Sequence, residues 1–281
     1  MRTRRIMRLG LIYAMAIVGL AFTLGPIFYI VTISIRPSPD MYIKPFAYIP
    51  PHPTLDNYVN VLLNRTASAK AHLPEAFGRT IVVALSATIS AVVLASLAGY
   101  GLARFRFRGR ETFGVAMLST QMMPPVLFLV PLFLIFRQLN LTNTLAGLTL
   151  SYLTFALPFC TWMLRGYFED IPVELEDAAM IDGCTRLRVL RHVVLPVAAP
   201  ALVATAIFAF IQAWNEFLFA FILGGNIPLL TVSLYAFISQ YGPEYGNLMA
   251  AAVMVALPPV VLFVLLQRHL IGGLTAGAVK H

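Results

Sequence analysis

The chain has 281 residues, 59% of them hydrophobic and only 11% charged, with a formal net charge of +8. Soluble domains carry about a quarter charged residues. A water-facing globular surface is therefore excluded, and the class is an integral membrane protein built of helices, which satisfy their own backbone polar groups in lipid. The positive balance does not point to nucleic acid, because the arginines sit beside apolar runs and are not interleaved with aromatics on a soluble face.

At about 20 apolar residues per span, the chain reads as one all-α polytopic bundle of about six transmembrane helices, a single domain over 1–281. Arg2, Arg4, Arg5 and Arg8 lead into a first run at about 9–35. That run is too long for a signal-peptide core and no small-residue cleavage site follows, so it reads as an uncleaved span. A polar, proline-rich segment with "RPSPD" and "IPPHP" fills about 36–75. The second span is about 76–103, followed by "RFRFRGRE". The third, about 112–136, contains Pro124, Pro125 and Pro131, which reads as a kink. "RQLNLTNT" turns into the fourth span, about 145–164. A charged loop at 165–196 precedes the fifth span, about 197–223. A loop of mixed character then leads to the sixth, about 248–267, and the tail "RHLIGGLTAGAVKH". Cys160 and Cys184 are too few for a disulfide framework. His52, His72, His192, His269 and His281 have no metal-ligand spacing. Neither a metal site nor a catalytic site is expected.

Basic residues beside span ends favour the cytoplasm. The N-terminal arginines, Arg104, Arg106, Arg108 and Arg110, and then Arg165, Arg186, Arg188 and Arg191, mark three such regions. The loop after the fifth span has no lysine or arginine. The expected topology is a multi-pass protein of the cell (inner or plasma) membrane, with both termini and the 165–196 loop cytoplasmic and the 36–75 loop outside.

The charged loop contains "VELEDAAMIDGCTRLRVLRHVVLP" at 173–196. Asp170 and Pro172 are helix-start signals, and Glu174 and Glu176 fall in the first turns, where the helix dipole favours acids. Gly183 is a C-terminal stop. A short helix over 171–182 is expected, small at Ala178 and Ala179 and acidic on the other side, shaped to enter a cleft of another protein. After a possible Thr185 cap, Leu187, Leu190 and Val194 form an apolar stripe with Arg188 and Arg191 off it, an amphipathic helix at the membrane surface. A merely solvated charged loop is the competing reading.

"EDAAMIDG" followed by "VVLP" resembles the EAA loop of ABC-importer permeases, whose acidic-Ala-Ala core, later Gly and terminal Leu-Pro are matched by Asp177, Ala178, Ala179, Gly183 and Leu195–Pro196. "RPSPD", "LAGYGLARFRFRGR", "QMMPPVLFLVPLF", "TFALPF", "AWNEF" and "GLTAGAVK" extend the resemblance, in order, to the second membrane subunit of carbohydrate importers of the maltose-transport type. The resemblance implies a type I ABC importer permease fold and a transmembrane permease domain. It also implies a coupling surface of Glu174, Glu176, Asp177, Ala178, Ala179, Asp182, Gly183, Leu187 and Leu190 toward two cytoplasmic ATPase subunits. The other implied partners are a homologous second permease subunit and an extracytoplasmic sugar-binding protein. No cofactor is expected in this chain; ATP and Mg would be bound by the ATPase subunits. Two departures stand out. Asp177 occupies the first EAA position with Glu176 before it, and Leu187 or Leu190 stands where an aromatic is common. Consistent with an external energy source, the three lysines, Lys44, Lys70 and Lys280, lie in no Gly-rich phosphate loop.

"IQAWNEFLFA" places Glu216, the carboxylate well inside a span, at helical spacing with Gln212 and Asn215, flanked by Phe208 and Phe219. An intramembrane acid is a functional candidate or is paired inside the bundle. Gln212, Asn215, Glu216 and Phe219 are thus translocation-path or substrate candidates, with a structural hydrogen-bond network as the favoured alternative. The family resemblance assigns the outer loop, with Gly224, Gly225, Asn226, Tyr241 and Tyr245, to binding-protein contact. Two rival classes remain: a secondary transporter using Glu216 as a proton or ion site, and a membrane-embedded enzyme, for which no polar set converges. Within the favoured class, maltose, trehalose, other oligosaccharides and glycerol phosphate are open, and the scarcity of basic residues in the spans, where Arg79 is the exception, mildly disfavours an anionic ligand.

Overall fold

The computed structural model describes residues 2–42, 47–65, 72–239 and 242–278. In chain order the helices are α1 (Arg2–Ser34), α2 (Asp56–Leu62), α3 (Leu73–Arg104), α4 (Arg110–Met122), α5 (Val126–Gln138), α6 (Leu145–Glu169), α7 (Val173–Ile181) and α8 (Arg186–Val189). A π turn (Leu190–Val194) follows, then α9 (Leu195–Val197), α10 (Ala199–Asn215), α11 (Leu218–Leu223), α12 (Leu230–Tyr235) and α13 (Tyr245–Ala278). The only strands among the described residues are the two-residue β1 (Ile238–Ser239) and β2 (Gly242–Pro243), paired antiparallel. Among the described residues, four helices are long and apolar enough to span a membrane, at Leu9–Ser34, Leu73–Arg104, Leu145–Glu169 and Tyr245–Gln267. Counting each bent helix pair as one span raises the number to six.

Both bent pairs have a proline cause. The expected third span is α4 and α5, joined at a 100° bend. Met123 is forced into extended backbone ahead of Pro124 because a proline ring disfavours the α conformation of the residue before it. What the sequence suggests is a kink is therefore a full break. The expected fifth span, 197–223, is broken twice. Residues Arg186–Val197 meet α10 at an 82° bend, where Pro196 and Pro200 each remove a backbone donor and press on the preceding turn. The π turn just before Pro196 absorbs part of that mismatch. The second break is at Glu216 and Phe217, between α10 and α11.

The chain separates into two compact units, one of Met1–Pro74 with Ser233–Leu257, the other of Glu75–Val232 with Pro258–His281. In the first, the end of α1 is tied to α2. Asn57 donates to the Ser34 and Arg36 carbonyls at 2.9 and 2.8 Å, and Ser34 and Tyr58 share a hydrogen bond of 2.7 Å. "RPSPD" thus turns as a short 3₁₀ helix, Ser38–Tyr42, over buried Arg36.

The second unit is organised around α6, which packs against α4, α10 and α11. Its core joins Ala156, Cys160, Leu164 and Phe168 of α6 with Ala91, Ala95 and Ala103 of α3, Val189, Leu190 and Val194, and Ala201 and Ala209 of α10. On α3, Ala87, Ala91, Ala95, Gly99 and Ala103 recur every fourth residue and form one small-residue ridge. Small ridges let membrane helices approach closely, where packing and not the hydrophobic effect drives association. At Gly99 the approach is closest: a Cβ there would sit 3.1 Å from the Arg165 nitrogen and 3.2 Å from the Thr161 oxygen.

Gly99→Leu should therefore overpack the α3–α6 crossing and destabilise the protein by about 1–3 kcal/mol. Thermal unfolding in detergent measures this, and a Tm equal to that of the unsubstituted protein would refute the crossing.

Candidate functional site

Two regions collect the chemistry, the charged loop around α7 and a cleft beside Glu216. Helix α7 lies within the helix expected over 171–182. Gly183 follows it with φ +85°, a left-handed conformation that only glycine adopts without strain. Its N–H donates to the Met180 carbonyl at 3.0 Å, and the Cys184 N–H donates to the Ala179 carbonyl at 3.0 Å, closing the helix end.

The helix does not present all its acids outward. Glu174, Asp177, Ala178, Asp182 and Gly183 are exposed, Ala179 is half-buried, and Glu176 is buried. Glu176 accepts from the Arg104 Nε at 2.6 Å and from the Tyr100 hydroxyl at 2.8 Å. Arg104 also donates to the Ile171 carbonyl at 2.8 Å. The Arg104 and Glu176 side chains are 8% and 2% exposed. Of the expected apolar stripe, Leu190 and Val194 are buried in the chain's own core, whereas Leu187 is exposed. Glu176 and Leu190, both expected on a partner-facing surface, are thus turned inward; a carboxylate so close to an arginine is held there by charge, and Leu190 by packing. The outward face also carries Ile181, 86% exposed.

Tyr100 and Arg104 were legible only as part of a topology-setting, motif-bearing stretch. Their spacing of four residues at the end of the small ridge is the signal that they share a face. Tyr100 also meets Phe168 edge-on at 6.3 Å and Phe105 at 6.5 Å, and Arg186 lies over the Phe105 ring at 5.4 Å. Nearby, Arg165 donates to Glu111 at 2.7 Å and to Glu169 at 2.9 Å, and Arg110 pairs with Glu169. This network joins α4 to α6 beside a cavity of ≈ 480 Å³ lined partly by Trp162 and Gly166.

Glu216 does not continue the helical face of Gln212 and Asn215. Helix α10 ends at Asn215, and Glu216 is extended, at φ −69° and ψ 126°. The expectation of one strip at i, i+3 and i+4 is corrected accordingly. The carboxylate reaches forward instead and accepts from the Phe219 N–H with both oxygens and from the Ala220 N–H, each at 3.1 Å. It caps α11, meeting donors that a helix start leaves unsatisfied. The Thr231 hydroxyl donates to the Glu216 carbonyl at 2.8 Å. The break opens a cleft of ≈ 650 Å³ lined by Tyr152, Phe155, Phe208, Gln212, Asn215 and Glu216, among others. Gln212 and Asn215 are exposed and Phe219 is buried. Phe155 lies 4.9 Å from Phe219, and Phe159 lies 4.2 Å from Phe208. Phe155, Phe159 and Trp162 follow one face of α6, an aromatic series at i, i+4 and i+7 that only helical spacing within an apolar run could signal.

On the outer loop, Gly224 is buried and Gly225 and Asn226 are exposed. The Asn226 N–H donates to the Asn143 side chain at 3.2 Å, and the Asn143 N–H donates to the Leu223 carbonyl at 2.8 Å. The loop start is therefore pinned to the α5–α6 turn. Tyr245 opens α13 in the other unit and is 48% exposed; Tyr241 lies outside the described residues.

Residues 91–275 match the family described as binding-protein-dependent transport system inner membrane component. The chain is 34% identical over 265 residues to the diacetylchitobiose uptake system permease protein of Streptomyces coelicolor, covering 94% of this chain and 93% of that protein. It is also 34% identical over 268 residues to the trehalose/maltose transport system permease protein of Thermococcus litoralis, covering 94% of each. Its fold is similar to a chain of a bacterial ABC transporter involved in the import of the acidic polysaccharide alginate. There the TM-score is 0.78 at 24% identity, covering 95% of this chain and 98% of that one.

The capping geometry predicts an asymmetric pair of substitutions. Glu216→Leu leaves the Phe219 and Ala220 donors without an acceptor and should cost about 1–3 kcal/mol. Glu216→Gln keeps one acceptor oxygen and should cost less. Thermal unfolding of both variants in detergent checks the order; equal losses would refute the cap.

Proposed function

The chain belongs to the family of binding-protein-dependent transport system inner membrane components, and on that premise we propose that it is one of two membrane subunits of an ATP-driven ABC importer for di- or oligosaccharides. The observation that carries the reading is α7: a short helix held by Glu176 from within, with Glu174, Asp177, Ala178 and Ile181 left outward. Val173, Leu175 and Leu187 are exposed with Ile181 on and just after α7, and several exposed apolar residues on one loop suit a protein partner better than water.

Two cytoplasmic ATPase subunits are the partners of that face, and they bind the ATP and Mg; this chain works as a permease subunit and not as an enzyme. The arginines beside α3, α4 and α8 favour a cytoplasmic charged loop and cytoplasmic termini. A homologous second permease subunit would close the Glu216 cleft, whose exposed Gln212 and Asn215 would otherwise face lipid at a cost. An extracytoplasmic sugar-binding protein would meet the outer loop around Gly225 and Asn226. The carbohydrate class rests on the relatives named for diacetylchitobiose and for trehalose/maltose. It is supported by the cleft, where the aromatic rings suit apolar sugar faces and the amides suit hydroxyls. Glu216 argues against gradient-driven secondary transport, because its oxygens are already engaged by backbone donors of α11.

Vesicles holding the assembled complex test the reading through uptake of labelled trehalose and diacetylchitobiose, with and without ATP on the cytoplasmic side. Uptake that needs ATP and survives Glu216→Gln is expected. ATP-independent uptake driven by a proton gradient and lost in Glu216→Gln would overturn it. A second variant addresses the coupling face. Ala178 is exposed, so Ala178→Trp should leave the permease folded but lower co-purification of the ATPase subunits, by about tenfold if it costs the 1.4 kcal/mol that a tenfold change in affinity represents. Undiminished co-purification would remove Ala178 from the docking surface.

A further inference from the structure

We propose that Tyr100 and Arg104 are positioning residues for transport: with Glu176 they form a buried clasp through which displacement of α7 is passed to α3 and α6, and so to the Glu216 cleft. The proposal rests on the reading of α7 as the helix that meets the ATPase subunits. It assigns a role to two side chains buried within the chain itself.

The clasp holds α7 at two points. Arg104 grips the Glu176 side chain through Nε and the Ile171 carbonyl, just ahead of α7, through its terminal nitrogen. Tyr100 occupies the second Glu176 oxygen. One turn of α3 therefore fixes both the helix and its leading peptide. Apolar contact alone is non-directional and lets helices slide. These hydrogen bonds are directional, and their groups are buried, so parting them would strand a charge away from water. The second ion network is different in kind: Glu111 and Glu169 have side chains 74% and 38% exposed, and water can replace their partners.

From the clasp the path continues through two contacts. Gly99 precedes Tyr100 and lies against the α6 backbone at Thr161 and Arg165, and Tyr100 meets Phe168 of α6. The same helix carries Tyr152 and Phe155 into the cleft lining. Packed elements respond as units because interiors are close-packed and do not deform smoothly. Joined at these points, α7, α3 and α6 would thus convert a push on α7 into a change of the cleft.

The test uses the complete transporter with its ATPase subunits and binding protein in vesicles. Ile211, which lines the cleft, is replaced by cysteine as a reporter in a Cys184→Ser background; Cys160 is buried. The rate of maleimide labelling at position 211 is compared with and without ATP plus vanadate. With Tyr100 and Glu176 intact, trapping should change the rate, and in Tyr100→Phe and Glu176→Gln that change should shrink by about tenfold, within the range of site-to-site coupling energies. Bulk destabilisation lowers the amount of complex but not the ratio of the two rates within it. Should Glu176→Gln fail to assemble, Tyr100→Phe, which loses one hydroxyl, decides the matter. A full ATP-driven change in Tyr100→Phe would overturn the clasp. No change even with the clasp intact, in vesicles whose uptake still requires ATP, would overturn the path from α7 to the cleft, whereas uptake that does not require ATP would overturn the permease reading.

Discussion

A single buried ion pair fixes the relation of the short charged helix to the rest of its unit. Arg104 and Glu176 lie 72 positions apart, yet their side chains are almost wholly withdrawn from water. Such a pair is a weak source of net stability, because desolvation offsets the attraction. Its value is geometric. It orients α7 so that Asp177, Ala178 and Ile181 point outward while Glu176 points in. Without it, an acidic nine-residue helix flanked by arginines would have no reason to keep one face exposed.

The same constraint explains why α3 carries so little bulk. Ala91, Ala95 and Gly99 bring its backbone against the core shared with α6, and only that closeness lets Arg104, on the same ridge's final turn, reach over to Glu176 and Ile171. Larger side chains along the ridge would hold α3 away, and the clasp would lose its reach. Packing and charge are thus coupled: the small residues supply the distance and the ion pair supplies the register.

Glu216 shows the same economy with a different partner. A carboxylate within an apolar run looks like an ion site, but here it spends its oxygens on the Phe219 and Ala220 backbone donors. The benefit is a stable break between α10 and α11. That break makes room for a cleft lined by Tyr152 and Phe155 of α6 together with Phe208, Gln212 and Asn215 of α10. The acid builds the wall of the cleft, and the uncharged groups supply its surface.

The sequence alone determined the membrane class, the positions of the long apolar helices, the neighbourhood of α7 and its glycine stop, because each rests on composition, on local periodicity or on one residue's backbone freedom. It also carried the family through motifs such as "EDAAMIDG", which are contiguous. The tertiary structure decided what those local signals leave open. The prolines at 124 and 125 forecast a disturbance but not its 100° bend, since the angle depends on what the next helix packs against. Helical spacing put Gln212, Asn215 and Glu216 on one face, but spacing assumes that the helix continues, and capping of α11 offered the carboxylate better partners by ending it. Glu176 read as one acid among several, because nothing within a window of local sequence names Arg104 and Tyr100 as its partners; only the close crossing of α3 and α6 brings them within reach.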